Sequence, residues 1–261
     1  MTFADAKQRF SNRVADYVRY RPGYPPALTD LLHEECGLQT FHQIADIGSG
    51  TGILSKLFLQ NGNSVWGVEP NREMRDAGAE FLVAYPKFQS VSGSAEATTL
   101  ADGSVDLVIA GQAFHWFEPD AARREFARIL KPGGWAAIIW NDRKLSETAF
   151  GRAYEDLLVR YGTDYARVKE AYPEMQDMEE FFGKEKFKRR ELPNFQEFDF
   201  AGLAGRVRSS SYAPKEGREN YEPMMAALRE LFDTTQKFGR VRMDYATQMY
   251  LGQLDRARNA V

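Results

Sequence analysis

Between Phe41 and Asn141 short, near-continuous apolar runs alternate with stretches whose apolar residues recur every three or four positions. Gln43–Ile47, Ser64–Val68, Val105–Ala110 and Trp135–Trp140 are too short for helices and are bounded by Gly, Pro or Asn, so each predicts a buried strand. Phe88–Val91 is a weaker one. Ile53, Leu54, Leu57 and Phe58 share one helical face, and Asn61-Gly62 supplies the stop. Met74, Ala77 and Phe81 mark a second helix over 71–83. A third opens at Pro119-Asp120, buries Ala122, Phe126, Ile129 and Leu130, and stops at Lys131-Pro132-Gly133-Gly134. Strands buried on both faces and separated by amphipathic helices demand a parallel sheet covered on two sides. Right-handed crossovers then give a doubly wound α/β sheet.

The flanks read differently. Residues 1–40 form a helical cap: a helix around Arg13 to Tyr20, a turn at Arg21-Pro22-Gly23-Tyr24-Pro25-Pro26, and a helix using Leu28, Leu31 and Leu32. Residues 41–142 are the core, and 143–187 a polar helical insertion or lid dense in Tyr and Glu. Its Tyr154, Tyr161, Tyr165 and Tyr172 suit either a lid or the packing faces of short helices. In 188–261, Phe198 and Phe200 alternate with Glu197 and Asp199, and Val241, Met243 and Tyr245 with Arg242 and Asp244. That predicts two late strands with a helix near Tyr221 to Phe232 between them.

Composition narrows the class. A chain of 261 residues with 43% apolar content accommodates one large α/β domain. Lys and Arg total 34 against 37 Asp and Glu, and a net charge of -3 exerts no long-range pull on nucleic acid or anionic membrane. The basic run Lys184–Arg190 therefore reads as a solvated approach to a strand. The single cysteine, Cys36, excludes an internal disulfide framework and reads as a small buried hydrophobe. No apolar stretch approaches the roughly 20 residues that span a bilayer. The opening residues lack the apolar core of a signal peptide, so a cytoplasmic location is expected. His33, His42 and His115 show no ligand spacing, so no metal is expected.

Gly48, Gly50 and Gly52 sit between the first strand and the helix after it, where glycine permits a tight turn and lets a ligand approach the backbone. Glu69 follows about 20 residues on, at the end of the second strand, where an acid can accept hydrogen bonds from both ribose hydroxyls; alone it could be a solvated strand end. A nicotinamide dinucleotide would suit this much. Against it, Ile53 stands where the dinucleotide fingerprint places its third glycine, and Asp46 just before the loop would repel a pyrophosphate. The same carboxylate suits a ligand with an ammonium and a sulfonium, although Asp46 could equally be a local turn acceptor.

Ile44-Ala-Asp-Ile-Gly-Ser-Gly-Thr-Gly52 resembles the first motif of class I S-adenosylmethionine-dependent methyltransferases. Val65-Trp-Gly-Val-Glu-Pro70 resembles their acidic second motif, Val105–Ala110 their fourth-strand motif, and Arg128–Gly134 the turn before their fifth strand. The opening Tyr17-Val-Arg-Tyr-Arg-Pro-Gly-Tyr-Pro25 and the triplet Phe114-His115-Trp116 are similar to a small-molecule branch that includes trans-aconitate methyltransferase-like proteins. The resemblance implies a Rossmann-like, mostly parallel seven-stranded sheet with an antiparallel last strand near Val241 to Tyr250. It implies that S-adenosylmethionine binds in the core: Asp46, Gly48, Ser49, Gly50 and Gly52 at its methionine end, and Glu69 on its ribose. Pro70 and Met74 would pack on adenine, and Ala95 and Glu96 line its edge, although Met74 also suits plain helix core. Tyr17, Arg21 and Gln112 join the cofactor contacts, Arg21 meeting the methionine carboxylate or an acidic acceptor, although a Pro-bounded turn with an exposed Arg and a Tyr packed on the core fits the same residues equally.

The acceptor side follows from topology. If strands one and four are neighbours, the segment after Ala110 faces the cofactor's methyl group. There Phe114, His115 and Trp116, with Tyr24 of the opening turn, are candidate substrate contacts, and Phe114 and Phe117 also suit core under the next helix. His115 is the candidate general base, with a structural role as its alternative. The expected activity is methyl transfer to a small-molecule acceptor, mainly by placement and exclusion of water. The competing readings are a binding protein without turnover and a nicotinamide-dependent oxidoreductase.

Overall fold

The computed structural model describes residues 18–166 and 175–255. Each apolar run predicted as a strand is one: β1 (Gln43–Ile47), β2 (Ser64–Val68), β3 (Phe88–Val91), β4 (Val105–Gly111) and β5 (Leu130–Arg143), all paired in parallel. β6 (Phe187–Phe198) and β7 (Val241–Gly252) complete a seven-stranded sheet of order β3-β2-β1-β4-β5-β7-β6, in which β7 runs antiparallel to both neighbours. The helices among the described residues are α1 (Ala27–Cys36), α2 (Ile53–Gln60), α3 (Arg72–Phe81), α4 (Pro119–Ile129), α5 (Ala149–Tyr161), α6 (Met175–Phe182), α7 (Phe200–Arg208) and α8 (Tyr221–Thr235). None is long and apolar enough to cross a membrane.

The period-two alternation of the strands builds two cores. Ile44 and Ile109 point to the face where Leu28 and Leu32 of α1 and Leu54 and Phe58 of α2 pack. Ala45, Val108 and Ala110 point to the other, beneath Ala122 and Phe126 of α4 and Phe181 and Phe182 of α6. A third cluster joins Tyr154 of α5, Leu203 and Val207 of α7 and Leu228 of α8 to Met243 and Tyr245 of β7. Strand order reverses between β1 and β4, so the crevice beyond their carboxyl ends is the expected ligand position.

Two expectations change. β5 begins at Leu130 rather than Trp135: Val105 pairs with Leu130 and Leu107 with Trp135, so Lys131–Gly134 bulge opposite Asp106. Lys131 Nζ reaches the Asp106 carboxylate at 2.8 Å and holds the bulge. Phe200 does not extend β6 but starts α7, because Asp199 caps that helix by accepting from Gly202 N at 2.7 Å. Within the stretch 143–187 the helices pack on different neighbours. α5 packs with α7 and α8, whereas α6 packs on α4 and the main sheet. Tyr154 and Tyr165 are buried packing residues, and Tyr172 lies outside the described residues, as does most of the helix expected around Arg13 to Tyr20. The basic run enters β6 directly, and Lys188 and Arg190 both pair with Glu35 of α1, at 2.8 and 2.6 Å.

Candidate functional site

The turn leaving β1 is left-handed at all three glycines: φ is 69° at Gly48, 56° at Gly50 and 80° at Gly52, a region that penalises any side chain. A Cβ on Gly48 would lie 2.6 Å from the Cβ of Ala113, so the loop also sits closer to the β4 exit than another residue would allow. Gly48 N and Ser49 N donate to the Val68 carbonyl at 2.9 and 3.2 Å, tying the turn to the end of β2. Glu69 completes that tie. Its Oε2 accepts from Gly50 N at 3.0 Å and its Oε1 from Asn71 N at 2.9 Å. Each carboxylate oxygen keeps a further lone pair for a ligand hydroxyl. Burial pushes the Glu69 carboxyl above its usual range, against the pull of those two N–H groups and of Arg75.

Met74 is buried, and its Cε lies 3.3 Å from where a Gly50 Cβ would be, so it packs against the loop itself. Arg75 Nη1 donates to the carbonyls of Glu69 and Pro70, both at 2.8 Å, and fixes the chain after β2. Ala95 is buried where the chain leaves β3. Glu96 accepts from Glu118 N at 2.9 Å, so its carboxylate joins this segment to the start of α4.

Asp46 lies near the end of β1, 1% exposed. Its Oδ2 accepts from Ser55 Oγ of α2 at 2.6 Å, while Oδ1 has no hydrogen-bond partner among the described residues. Burial pushes its carboxyl up to about 7, with the Ser55 bond opposing and Glu69 adding repulsion. The buried Thr51 hydroxyl is similarly without a partner among the described residues. An orphaned carboxylate oxygen in a glycine cradle, with a second acid at the neighbouring strand end, fits a cationic nucleoside and disfavours a pyrophosphate.

The cleft beside Asp46 and the glycine loop is also lined by Arg21, Tyr24, Gln112, Asn141, Arg143, Arg206 and Tyr212. Asn141 Nδ2 donates to Gly23 O at 3.1 Å and Arg21 Nη2 to Ser209 O at 2.9 Å, which brings the Pro-bounded turn over the strand ends. Gln112, at a left-handed φ of 57°, donates from Nε2 to Asn141 O at 3.2 Å. Tyr17 lies outside the described residues. Asn141, Arg143, Arg206 and Tyr212 escape the sequence reading. Arg206 and Tyr212 belong to a stretch read as passage between strands, and Asn141 and Arg143 to the unremarked end of β5.

Phe114 is 3% exposed and packs edge-on to Phe117 and Phe181, with centroids 6.0 and 5.0 Å apart, so of its two readings the structure takes core under α4 and α6. His115 sits between Trp116 at 4.5 Å and Trp140 at 5.2 Å. Burial pushes the imidazole down to about 4, with Arg21 adding to the effect. A His115 held neutral can accept a proton only weakly at neutral pH. Its ring resonances are expected to stay flat between about pH 5.5 and 8 in an NMR titration; an inflection near the ordinary histidine value would restore it as a base.

Residues 45–138 match the methyltransferase-domain family model. An uncharacterized methyltransferase of Mycobacterium tuberculosis is 37% identical over 139 residues, covering 53% of this chain and 54% of the relative. One of Schizosaccharomyces pombe is 39% identical over 135 residues, covering 51% and 53%. The chain thus spans about half the length of these curated relatives. One of Bacillus mycoides is 30% identical over 152 residues, covering 54% of this chain and 68% of the relative. Among solved structures, a candidate type II methyltransferase of Anaeromyxobacter dehalogenans aligns with a TM-score of 0.67 at 21% identity, over 90% of this chain and 98% of that one. With four motifs on one β1–β5 framework, a seven-stranded order shared with such folds, and kinship spanning two-thirds of a methyltransferase, the chain belongs to the class I S-adenosylmethionine-dependent methyltransferases.

Proposed function

We propose that the protein binds S-adenosylmethionine in the crevice between β1, β2 and β4 and transfers its methyl group to a small-molecule acceptor. The observation that carries this reading is the pair of buried acids on either side of the glycine loop, Asp46 with an unused oxygen and Glu69 with spare lone pairs. When bound, the cofactor supplies an electrophilic methyl group on a sulfonium. Asp46 would hold the ammonium, Arg21 the carboxylate, and Glu69 the ribose hydroxyls. Pro70, Met74 and Ala95 would offer adenine an apolar slot, and Gln112 would close the methionine side. α5, α7 and α8 form the wall around Arg206 and Tyr212, and that enclosure favours a small acceptor over a macromolecule. Support also comes from a phosphoethanolamine N-methyltransferase of Haemonchus contortus. It was solved with phosphomonomethylethanolamine and S-adenosylhomocysteine and aligns with a TM-score of 0.56 at 15% identity, over 96% of this chain and 58% of that one.

Calorimetry decides the cofactor. S-adenosylmethionine and S-adenosylhomocysteine are expected to bind and a nicotinamide dinucleotide to give no heat; the reverse pattern overturns the reading. A labelled-methyl screen against small acids, phenols and amines then identifies the acceptor, and a chain that binds the cofactor yet labels none of them is a binding protein.

A further inference from the structure

Past the glycine loop the cleft meets a buried cluster of cations and phenols that cofactor binding leaves unused. Arg206 of α7 is 3% exposed. Its Nη1 donates to Ser210 Oγ at 3.0 Å, and its Nε has no hydrogen-bond partner among the described residues. Among the described residues, the ionisable groups acting on it include the phenols of Tyr245, Tyr154 and Tyr212 and a second cation, Arg143. Arg143, at the end of β5, holds its guanidinium carbon 5.9, 5.7 and 5.8 Å from the ring centres of Tyr154, Tyr165 and Tyr212. Tyr212 is 3% exposed, packs edge-on to Tyr165 at 5.0 Å, and lines the same cleft as Asp46, Gly48 and Arg21. Its carbonyl accepts from Thr163 N at 2.9 Å and Thr163 Oγ1 at 3.2 Å, which anchors the residue in the wall.

We propose that Tyr212 is the proton-accepting group of the methyl-transfer site, its phenolate taking the proton of an N–H, O–H or acidic C–H acceptor as the methyl group arrives. The inference rests on the proposed methyl transfer and deepens it. A buried guanidinium without an anion is costly, and among the described residues the acids acting on Arg206 are phenols. Of these, Tyr212 opens on the cleft, whereas Tyr154 is fully buried and does not line it. Burial opposes ionisation of Tyr212, but Arg143, Arg206 and Arg21 outweigh it, helped by the Ser210 hydroxyl, and bring the phenol below its ordinary range. Burial dominates at Tyr154 and pushes its phenol up. In the transfer the acceptor's X–H bond breaks and its proton passes to Tyr212 Oη. The freed pair forms the bond to the methyl carbon, and the carbon–sulfur bond breaks with its pair left on sulfur. Solvent later takes the proton from the phenol.

The test needs no acceptor. In a near-ultraviolet titration of the ligand-free chain, one of the 12 tyrosines is expected to ionise below the ordinary tyrosine range, ahead of the rest. Tyr212→Phe should abolish that step while S-adenosylmethionine affinity changes by less than about threefold in calorimetry. Arg143→Gln should move the midpoint up by about one unit or more. Carbon-13 labelling of tyrosine Cζ reads the same phenolate in the unaltered chain, so the result stands even if a variant folds poorly. An early step that persists in Tyr212→Phe, or no tyrosine ionising before the ordinary range in the unaltered chain, overturns the proposal. If the titration fails while the cofactor binds, only this inference falls; if the cofactor does not bind, the methyl-transfer reading falls with it.

Discussion

Asp46→Asn is expected to bind S-adenosylmethionine about 100-fold more weakly than the unaltered chain and yet to resist heat better above pH 8. Both effects come from one carboxylate buried at 1% exposure, with a serine hydroxyl on one oxygen and no partner on the other among the described residues. A buried carboxylate and a ligand ammonium in contact gain up to about 4 kcal/mol at the effective dielectric of a protein site, so a 100-fold loss, about 2.7 kcal/mol, is within reach. Without ligand the same charge is a liability. Its folded carboxyl lies at about 7 instead of 3.8. Asp46 therefore supports the fold fully below about pH 4, and that support is lost as pH rises through 7. Asparagine keeps an acceptor for Ser55 and never charges, so the variant's advantage should be small at pH 4 and reach about 4 kcal/mol at pH 8. Thermal melts at the two pH values measure it; a variant less stable at both would show that the carboxylate is held by something other than a ligand's charge.

The same group gives the affinity a pH dependence of defined sign. Binding a cation draws Asp46 into its charged form, so a proton is released on binding at pH 6 and fewer at pH 7.5. Affinity should rise over that interval and flatten as the ligand's own amine begins to deprotonate at about 7.7 to 8. Calorimetry in two buffers of different ionisation heat counts the protons directly.

Glu69→Ala is the second large effect, and its pattern differs. The carboxylate satisfies Gly50 N and Asn71 N in a buried setting. Its removal orphans both donors at about 1–3 kcal/mol each, unless water enters the space left. A stability loss of about 2–4 kcal/mol is therefore expected, together with loss of the ribose grip. 5′-Methylthioadenosine separates the two acids, because it keeps the ribose but carries neither ammonium nor sulfonium. Its affinity should survive Asp46→Asn and fall at least about 30-fold in Glu69→Ala. Equal losses in both variants would mean that the acids shape the loop and do not divide the ligand between them.

The first half of the site was legible because it is local. A strand, a glycine turn and a helix follow one another within Gln43 to Gln60, and Glu69 stands at the end of the strand paired next to β1. Short-range sterics make glycine the residue for φ near 70°, and strand alternation directs Ile44 and Ala45 to opposite faces, so residue order carried both facts. The aromatics after β4 were visible but ambiguous. A run such as Phe114 to Phe117 has the same composition whether it faces a ligand or a helix, and only the arrival of Phe181 from α6 makes Phe114 core. Likewise Lys131–Gly134 has the composition of a turn, and the register with Val105 and Leu107 turns it into a bulge.

The amino-acid order by itself determined the parallel core, the glycine turn with its two acids, and through their resemblance the nucleoside they suit. Tertiary structure alone decided how those groups behave. Burial raises Asp46 and lowers His115, and dielectric surroundings are a property of packing that no spacing encodes. The convergence of Arg21, Arg143, Arg206 and Tyr212 is of the same kind. Four residues from the opening turn, the end of β5, α7 and the loop after it meet in one cleft, because the antiparallel β6–β7 pair and its helices fold back over the strand ends.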